Sequence, residues 1–145
     1  AATRIKLGIQ SKLTLGNLDA SRDWGFAGDY VEAMWMMMQF DYPEDWVIAS
    51  GETYTVREFL AKAFELLDLN WEEYVETSEK YLRPNEVEHL LGDPSKAMNK
   101  LGWKPKTSFD ELVEMMIESD LNLAKRELVL LDEGLIVPTW ENPVN

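Results

Sequence analysis

Two four-residue signals constrain the fold most: Thr55-Val56-Arg57-Glu58 and Ser108-Phe109-Asp110-Glu111. In each, a hydroxyl is followed three residues later by a glutamate. The hydroxyl can then accept from the N3 amide while the carboxylate reaches back to the cap amide. Val56, Phe59, Leu60, Ala63 and Leu67 fall at helical spacing behind the first, and Leu112, Val113 and Met116 behind the second. Helices are therefore predicted from 56 and from 109, the latter to about Arg126. Asp93-Pro94 predicts another helix, with Asp93 as cap, Pro94 as first helical residue and Gly102 closing it.

A further helix is predicted from Asp29, just behind Gly28, to Gln39. Tyr30, Val31, Ala33, Met34, Trp35, Met36, Met37 and Met38 go nearly all round it. That pattern predicts burial on more than one side, with the methionines filling core rather than forming a soft-metal or peptide surface. Residues 2–10 form a short helical pattern with no cap ahead, so the chain is expected to be cut at its beginning. KLTLGNL is extended and breaks at Gly16, and WVIAS is a short apolar strand ending at Gly51. YVETSEKYL is a half-exposed strand, with Pro84 holding Arg83 extended at its end. The tail LDEGLIVPTWENPVN, with Pro138 and Pro143, cannot be one helix. Helices with a few short strands make an α/β chain, and 145 residues at 46% apolar content suffice for one core.

The absence of cysteine excludes disulfides, thiolate metal sites and cysteine nucleophiles. The single histidine, His89, lies in the helix-like run VEHLLGD with no GxSxG elbow in the chain, which suits a surface or capping role better than a triad. Acidic pairs such as Glu72-Glu73 and Glu114/Glu118 mark a solvated face. A net charge of −13 argues against nucleic-acid or anionic-membrane partners. It leaves room for one small phosphorylated ligand, because screening limits the relevant charges to those within roughly 10 Å. No apolar run of transmembrane length and no secretory leader occurs, so a cytoplasmic location is expected.

None of the eight glycines forms a GxGxxG or GxxxxGK[ST] loop, and no tyrosine is followed four residues on by lysine. Two arginines flanked by turn-forming residues remain, Arg22 in LGNLDASRDWG and Arg83 in YLRPNEV. Two guanidinium forks could clamp a diphosphate, and Glu86 could accept from ribose hydroxyls or nucleobase nitrogens. Taken alone, the pair fits surface arginines matched to the abundant Asp and Glu better than a clamp.

At these residues the chain resembles a known family. LGNLDASRDWGFAGDYVEAMW, ASGETYTVREF and YLRPNEVEHLLGDPSKAMNKLGWKPKTSFDELV are similar to the C-terminal, substrate-binding portion of the GDP-mannose 4,6-dehydratases, which are extended short-chain dehydrogenases/reductases. RDWG followed by Y-V-E-A-M, and RP-x-E-V followed by LLGD-x-SKA and LGW-x-P, are specific in combination.

The resemblance implies an enzyme family, a lyase, that binds NADP on an N-terminal Rossmann half, oxidises C4 of the mannose, eliminates water across C5 and C6 and returns the hydride at C6. It places the Tyr-x-x-x-Lys pair, the acid/base glutamate and the glycine-rich fingerprint in that half, none of which this sequence contains. It covers about residues 1–125 and implies a sugar-nucleotide domain over residues 1–126; the tail over 127–145 departs from the family pattern. Leu15, Gly16 and Asn17 would lie against the guanosine with Ala20 nearby, Arg22 and Arg83 would hold the diphosphate, and Glu86 would face the ribose. Gly16 would let the nucleoside approach bare backbone, and Trp24 would pack behind the arginine turn. The ligand expected is GDP-mannose or a related GDP-sugar, with no catalytic residue, metal or NADP site in this chain alone. A separate Rossmann half or a second copy is the expected protein partner. The alternatives are a non-catalytic GDP-sugar module or a truncated remnant that oligomerises.

Overall fold

A computed structural model of the chain describes residues 1–138. The elements run α1 (Ala2–Lys6), β1 (Leu13–Leu15), β2 (Ser21–Arg22), α2 (Ala27–Met38), β3 (Tyr54–Thr55), α3 (Val56–Glu65), β4 (Val75–Thr77), α4 (Ser95–Leu101) and α5 (Phe109–Asp132). Single 3-10 turns cover Trp71–Glu73 and Glu79–Tyr81. The strands form two separate ladders, β1 parallel to β4 with Leu13 opposite Val75, and β2 antiparallel to β3 with Arg22 opposite Tyr54.

Both capping boxes form. The Thr55 and Ser108 hydroxyls accept from the amides of Glu58 and Glu111, whose carboxylates accept in return from the Thr55 and Ser108 amides. The helices they start pack together through Ala63, Phe109 and Val113, with Tyr54 stacked on Phe109 at 4.0 Å between ring centroids. Ile5, Leu18, Leu60 and Phe64 make a second cluster beneath α1 and β1, and Ala33, Ala97 and Trp103 a third beneath α2 and α4. Asp29 is buried at the start of α2, where its carboxylate accepts from the Lys106 and Thr107 amides at 2.9 Å each. Burial disfavours its charge, but these backbone donors win and hold its carboxyl below the ordinary carboxylate range.

Several expectations are corrected. α2 is not wrapped on several sides: Ala33 is buried, Met36 and Met37 are half-buried against the third cluster, and Trp35 and Met38 are 63% and 82% exposed. An apolar pattern states how many faces could be covered, not how many neighbours exist. Residues 46–50 join no ladder among the described residues. Their hold is side-chain chemistry instead, with Trp46 edge-on to Phe40 and the Ser50 amide donating to Asp23. In 74–82 only 75–77 pairs, after which the Ser78 hydroxyl caps the 3-10 turn; Arg83 therefore follows a turn and is not at a strand end.

His89 is not helical; it bridges to Ser21 and is exposed. The first helix stops at Lys6 rather than reaching 10. Asp93 is not the N-cap: the helix begins one residue later than expected, at Ser95, with Pro94 in the cap position, and the Asp93 carboxylate accepts from the Ser95 amide at 2.9 Å just ahead of it; Gly102 closes the helix at φ +71°. α5 passes Arg126 and ends at Asp132, where Gly134 at φ +68° lets the Gly134 and Leu135 amides donate back to Leu131 and Leu130. Pro143 and the rest of the tail beyond 138 lie outside the described residues.

Candidate functional site

The site is built where two distant stretches meet. The Leu18 and Ala20 carbonyls accept from the Arg57 and Val56 amides, which fixes 18–20 on the start of α3. β2 then pairs with β3 and carries Arg22 at its end. Opposite, residues 86–90 are laced to β2 by the Ser21 amide donating to Glu88 and the Leu90 amide donating to Ser21.

Arg22 spans this seam. Its Nη1 donates to the carbonyls of Ser21 at 2.8 Å and Val87 at 2.6 Å, and its Nη2 forms an ion pair with Glu86. Arg83 is exposed and makes no ion pair among the described residues. Behind the arginine, Trp24 donates its indole N–H to the Tyr54 carbonyl at 3.0 Å and packs on Phe59, the packing role expected of it. The Asp23 carboxylate accepts from the amides of Ser50, Gly51 and Gly92, tying three loops together.

Leu15, Gly16, Asn17, Ala20, Arg22, Arg83 and Glu86 line one cavity of about 250 Å³, joined by Trp24, Val56 and Tyr81. Two points differ from expectation. Glu86 is occupied by Arg22, so the arginine–carboxylate pair that the sequence offers as the alternative to a clamp forms within the cavity. Gly16 is required by the protein itself: a Cβ there would lie 2.9 Å from the Tyr81 carbonyl carbon. Asn17 uses its side-chain oxygen to accept from the Asp19 amide at 2.9 Å, turning the floor of the cavity. Sequence reasoning missed Asp23 and Tyr81. Asp23 carries no local signal, because its partners are amides 27 to 69 residues away.

Chemically, the cavity presents two guanidinium groups to an anion and one carboxylate to hydroxyl or amine donors. Paired with Arg22, Glu86 contributes no net charge there, so Arg83 supplies the uncompensated positive charge. Among the described residues no group of three or more His, Asp or Glu side chains could hold a metal ion, and no helix is long and apolar enough to cross a membrane.

Comparison with known proteins bears on the fold and the lineage. The family profile for GDP-mannose 4,6 dehydratase matches residues 1–116. GDP-mannose 4,6 dehydratase 2 of Arabidopsis thaliana is 60% identical over 134 residues, covering 92% of this chain and 36% of that protein. The human GDP-mannose 4,6 dehydratase is 46% identical over 142 residues, covering 86% of this chain and 38% of its own length. The chain thus spans somewhat over a third of these relatives. RMD from Pseudomonas aeruginosa, solved with NADPH, has a TM-score of 0.73 over 83% of this chain and 40% of that one, at 19% identity, a likeness of fold alone. The chain has the mixed helix and strand architecture of the C-terminal part of such enzymes, and it belongs to the GDP-mannose 4,6-dehydratase family.

Proposed function

We propose that this chain is the sugar-nucleotide-binding part of a GDP-mannose 4,6-dehydratase, with residues 1–126 as the binding domain and 127–145 as a tail. Its ligand is GDP-mannose or a close GDP-sugar, and its location is cytoplasmic. The observation that carries this reading is the convergence of residues 15–17, 20 and 22 with residues 83 and 86 on one cavity. The guanosine lies on Leu15, Gly16 and Asn17 beside Ala20, the diphosphate lies between Arg22 and Arg83, and Glu86 meets the ribose. Family membership, and the identity with enzymes named for GDP-mannose, support that ligand over other nucleotides.

The family's hydride carrier, NADP, does not fit the residues present. The described strands form two separate two-stranded ladders rather than one parallel sheet, and no GxGxxG turn joins a strand to a helix. No hydride step is therefore assigned to this chain. Conversion to the 4-keto-6-deoxy sugar requires a second polypeptide segment carrying the Rossmann half, and the chain alone is inert. Appearance of that product from purified chain, GDP-mannose and NADP would overturn the claim of inertness.

Calorimetric titration with GDP-mannose tests the binding reading. Arg83→Ala should weaken affinity about tenfold, the scale of one charge-assisted contact. Arg22→Ala should weaken it more, because it also leaves Glu86 unpaired beside a diphosphate. Equal heats in wild type and both variants would leave only a remnant that binds no GDP-sugar.

A further inference from the structure

We propose that Tyr81 is the aromatic face on which the nucleobase of the bound nucleotide stacks; this rests on the nucleotide reading of the cavity. Most other described aromatics are already engaged, and the three that are not, Phe26, Trp35 and Tyr42, do not line the cavity. Trp24 packs on Phe59, Tyr30 on Trp103, Phe40 on Trp46, Tyr54 on Phe109 and Phe64 on Tyr74, while Arg57 lies over Trp71. Tyr81 lines the cavity, is 49% exposed, and has neither a ring contact nor a side-chain hydrogen bond among the described residues. The other aromatic lining the cavity, Trp24, already has protein partners for its ring, on Phe59, and for its N–H, on the Tyr54 carbonyl.

The position of Tyr81 is set by the backbone rather than by its ring. It ends the 3-10 turn, its amide donates to the Ser78 carbonyl at 3.1 Å, and its carbonyl presses on Gly16. The start of its side chain therefore stands beside the Gly16–Asn17 floor, the end of the cavity assigned to the nucleoside, with its Cβ 3.4 Å from where a Gly16 Cβ would be. A half-exposed ring held at its root and unpaired along its face is suited to a flat heterocycle, which gains dispersion and quadrupole attraction there without displacing a protein partner. The absence of a side chain on Gly16 has a second use in this arrangement: it brings the aromatic wall and the floor close enough to meet one ligand.

The test is calorimetric titration of the 145-residue chain with GDP, comparing wild type with Tyr81→Phe, Tyr81→Leu and Tyr81→Ala, each checked for an unchanged melting temperature. The phenyl variant should bind within about twofold of wild type. The leucine and alanine variants should bind about fivefold to a hundredfold more weakly, the range for loss of a base–aromatic stack. If Tyr81→Ala does not fold, Tyr81→Leu carries the comparison. Affinity in Tyr81→Leu equal to that in Tyr81→Phe would overturn stacking in favour of simple bulk, and an equal loss in Tyr81→Phe would transfer the role to the hydroxyl. GDP binding that is weakened by Arg22→Ala but untouched at Tyr81 would overturn this inference alone. No GDP binding by wild type would overturn it together with the function it rests on.

Discussion

The α3–α5 half of the molecule and the stretch from 82 to 92 are held by different physics. In the first, Leu60, Ala63, Phe64, Phe109, Leu112 and Val113 are buried and both helices begin at reciprocal caps. In the second, no residue is buried, and position comes from hydrogen bonds to Ser21, Arg22 and Asp23. Apolar packing fixes a backbone against many neighbours at once, whereas polar lacing fixes it at a few atoms. The cavity takes one wall from each. Arg22 stands on the packed side, and Arg83, without an ion pair among the described residues, stands on the laced side, so the two arms of the proposed clamp differ in stiffness.

Three substitutions probe that contrast. Asp29→Ala should cost most, about 3 kcal/mol, because two amides lose their shared buried acceptor, those of Lys106 and Thr107. It should lower the midpoint of denaturant unfolding without changing the slope. Because the native carboxyl is held below its ordinary value, this contribution is fully present above the unfolded-state pKa of about 4 and fades as pH falls through the depressed native value. The wild-type advantage over Asp29→Ala should therefore shrink in acid; an advantage that grows in acid would contradict the assignment.

Gly16→Ala should cost about 2 kcal/mol, by the scale of overpacking, since the new methyl meets the Tyr81 backbone. Hydrogen exchange should speed up at 78–82 and leave the helical amides of α3 and α5 unchanged. Thr55→Ala is the smallest, about 1 kcal/mol for a lost cap, with faster exchange confined to the first turn of α3. If Thr55→Ala loosened 82–92 as well, the two regions would be one cooperative unit and the contrast would fail.

Legibility in the sequence follows the same line. Thr55, Ser108 and Gly102 were readable because a cap acts over three or four residues, all in view at once. Arg22, Arg83 and Glu86 are legible only through the order of motifs that the chain shares with its family; spacing carries no sign that Arg22 would meet Glu86 across 64 residues. Three misreadings share one cause. The unpaired 46–50 segment, the one-sided burial of α2 and the shortened strand after 74 each depend on whether a neighbour is present, which local periodicity does not encode. At Gly16 the sequence points to close approach by a ligand, whereas the group that meets it in the structure is the Tyr81 backbone. The helix end at Asp132 was visible in principle, since Gly134 followed by Leu135 forms the left-handed closure that such a glycine permits.

The ion pair between Arg22 and Glu86 also has a kinetic meaning. Its partners, 64 residues apart, each follow one strand of the parallel ladder of β1 and β4, so the cavity cannot exist until the chain has closed a long loop. Contacts of that separation bear a larger closure entropy than local ones and slow folding relative to local helix formation. The denatured chain therefore carries no partial version of this cavity, and any ligand that occupies it binds the native state alone. Occupancy then raises the melting temperature by mass action, by an amount equivalent to about 2.7 kcal/mol at a hundredfold excess over Kd. For this chain, a thermal melt with and without GDP-sugar tests the proposed binding and, where a shift occurs, reports that the two ends of that loop have met.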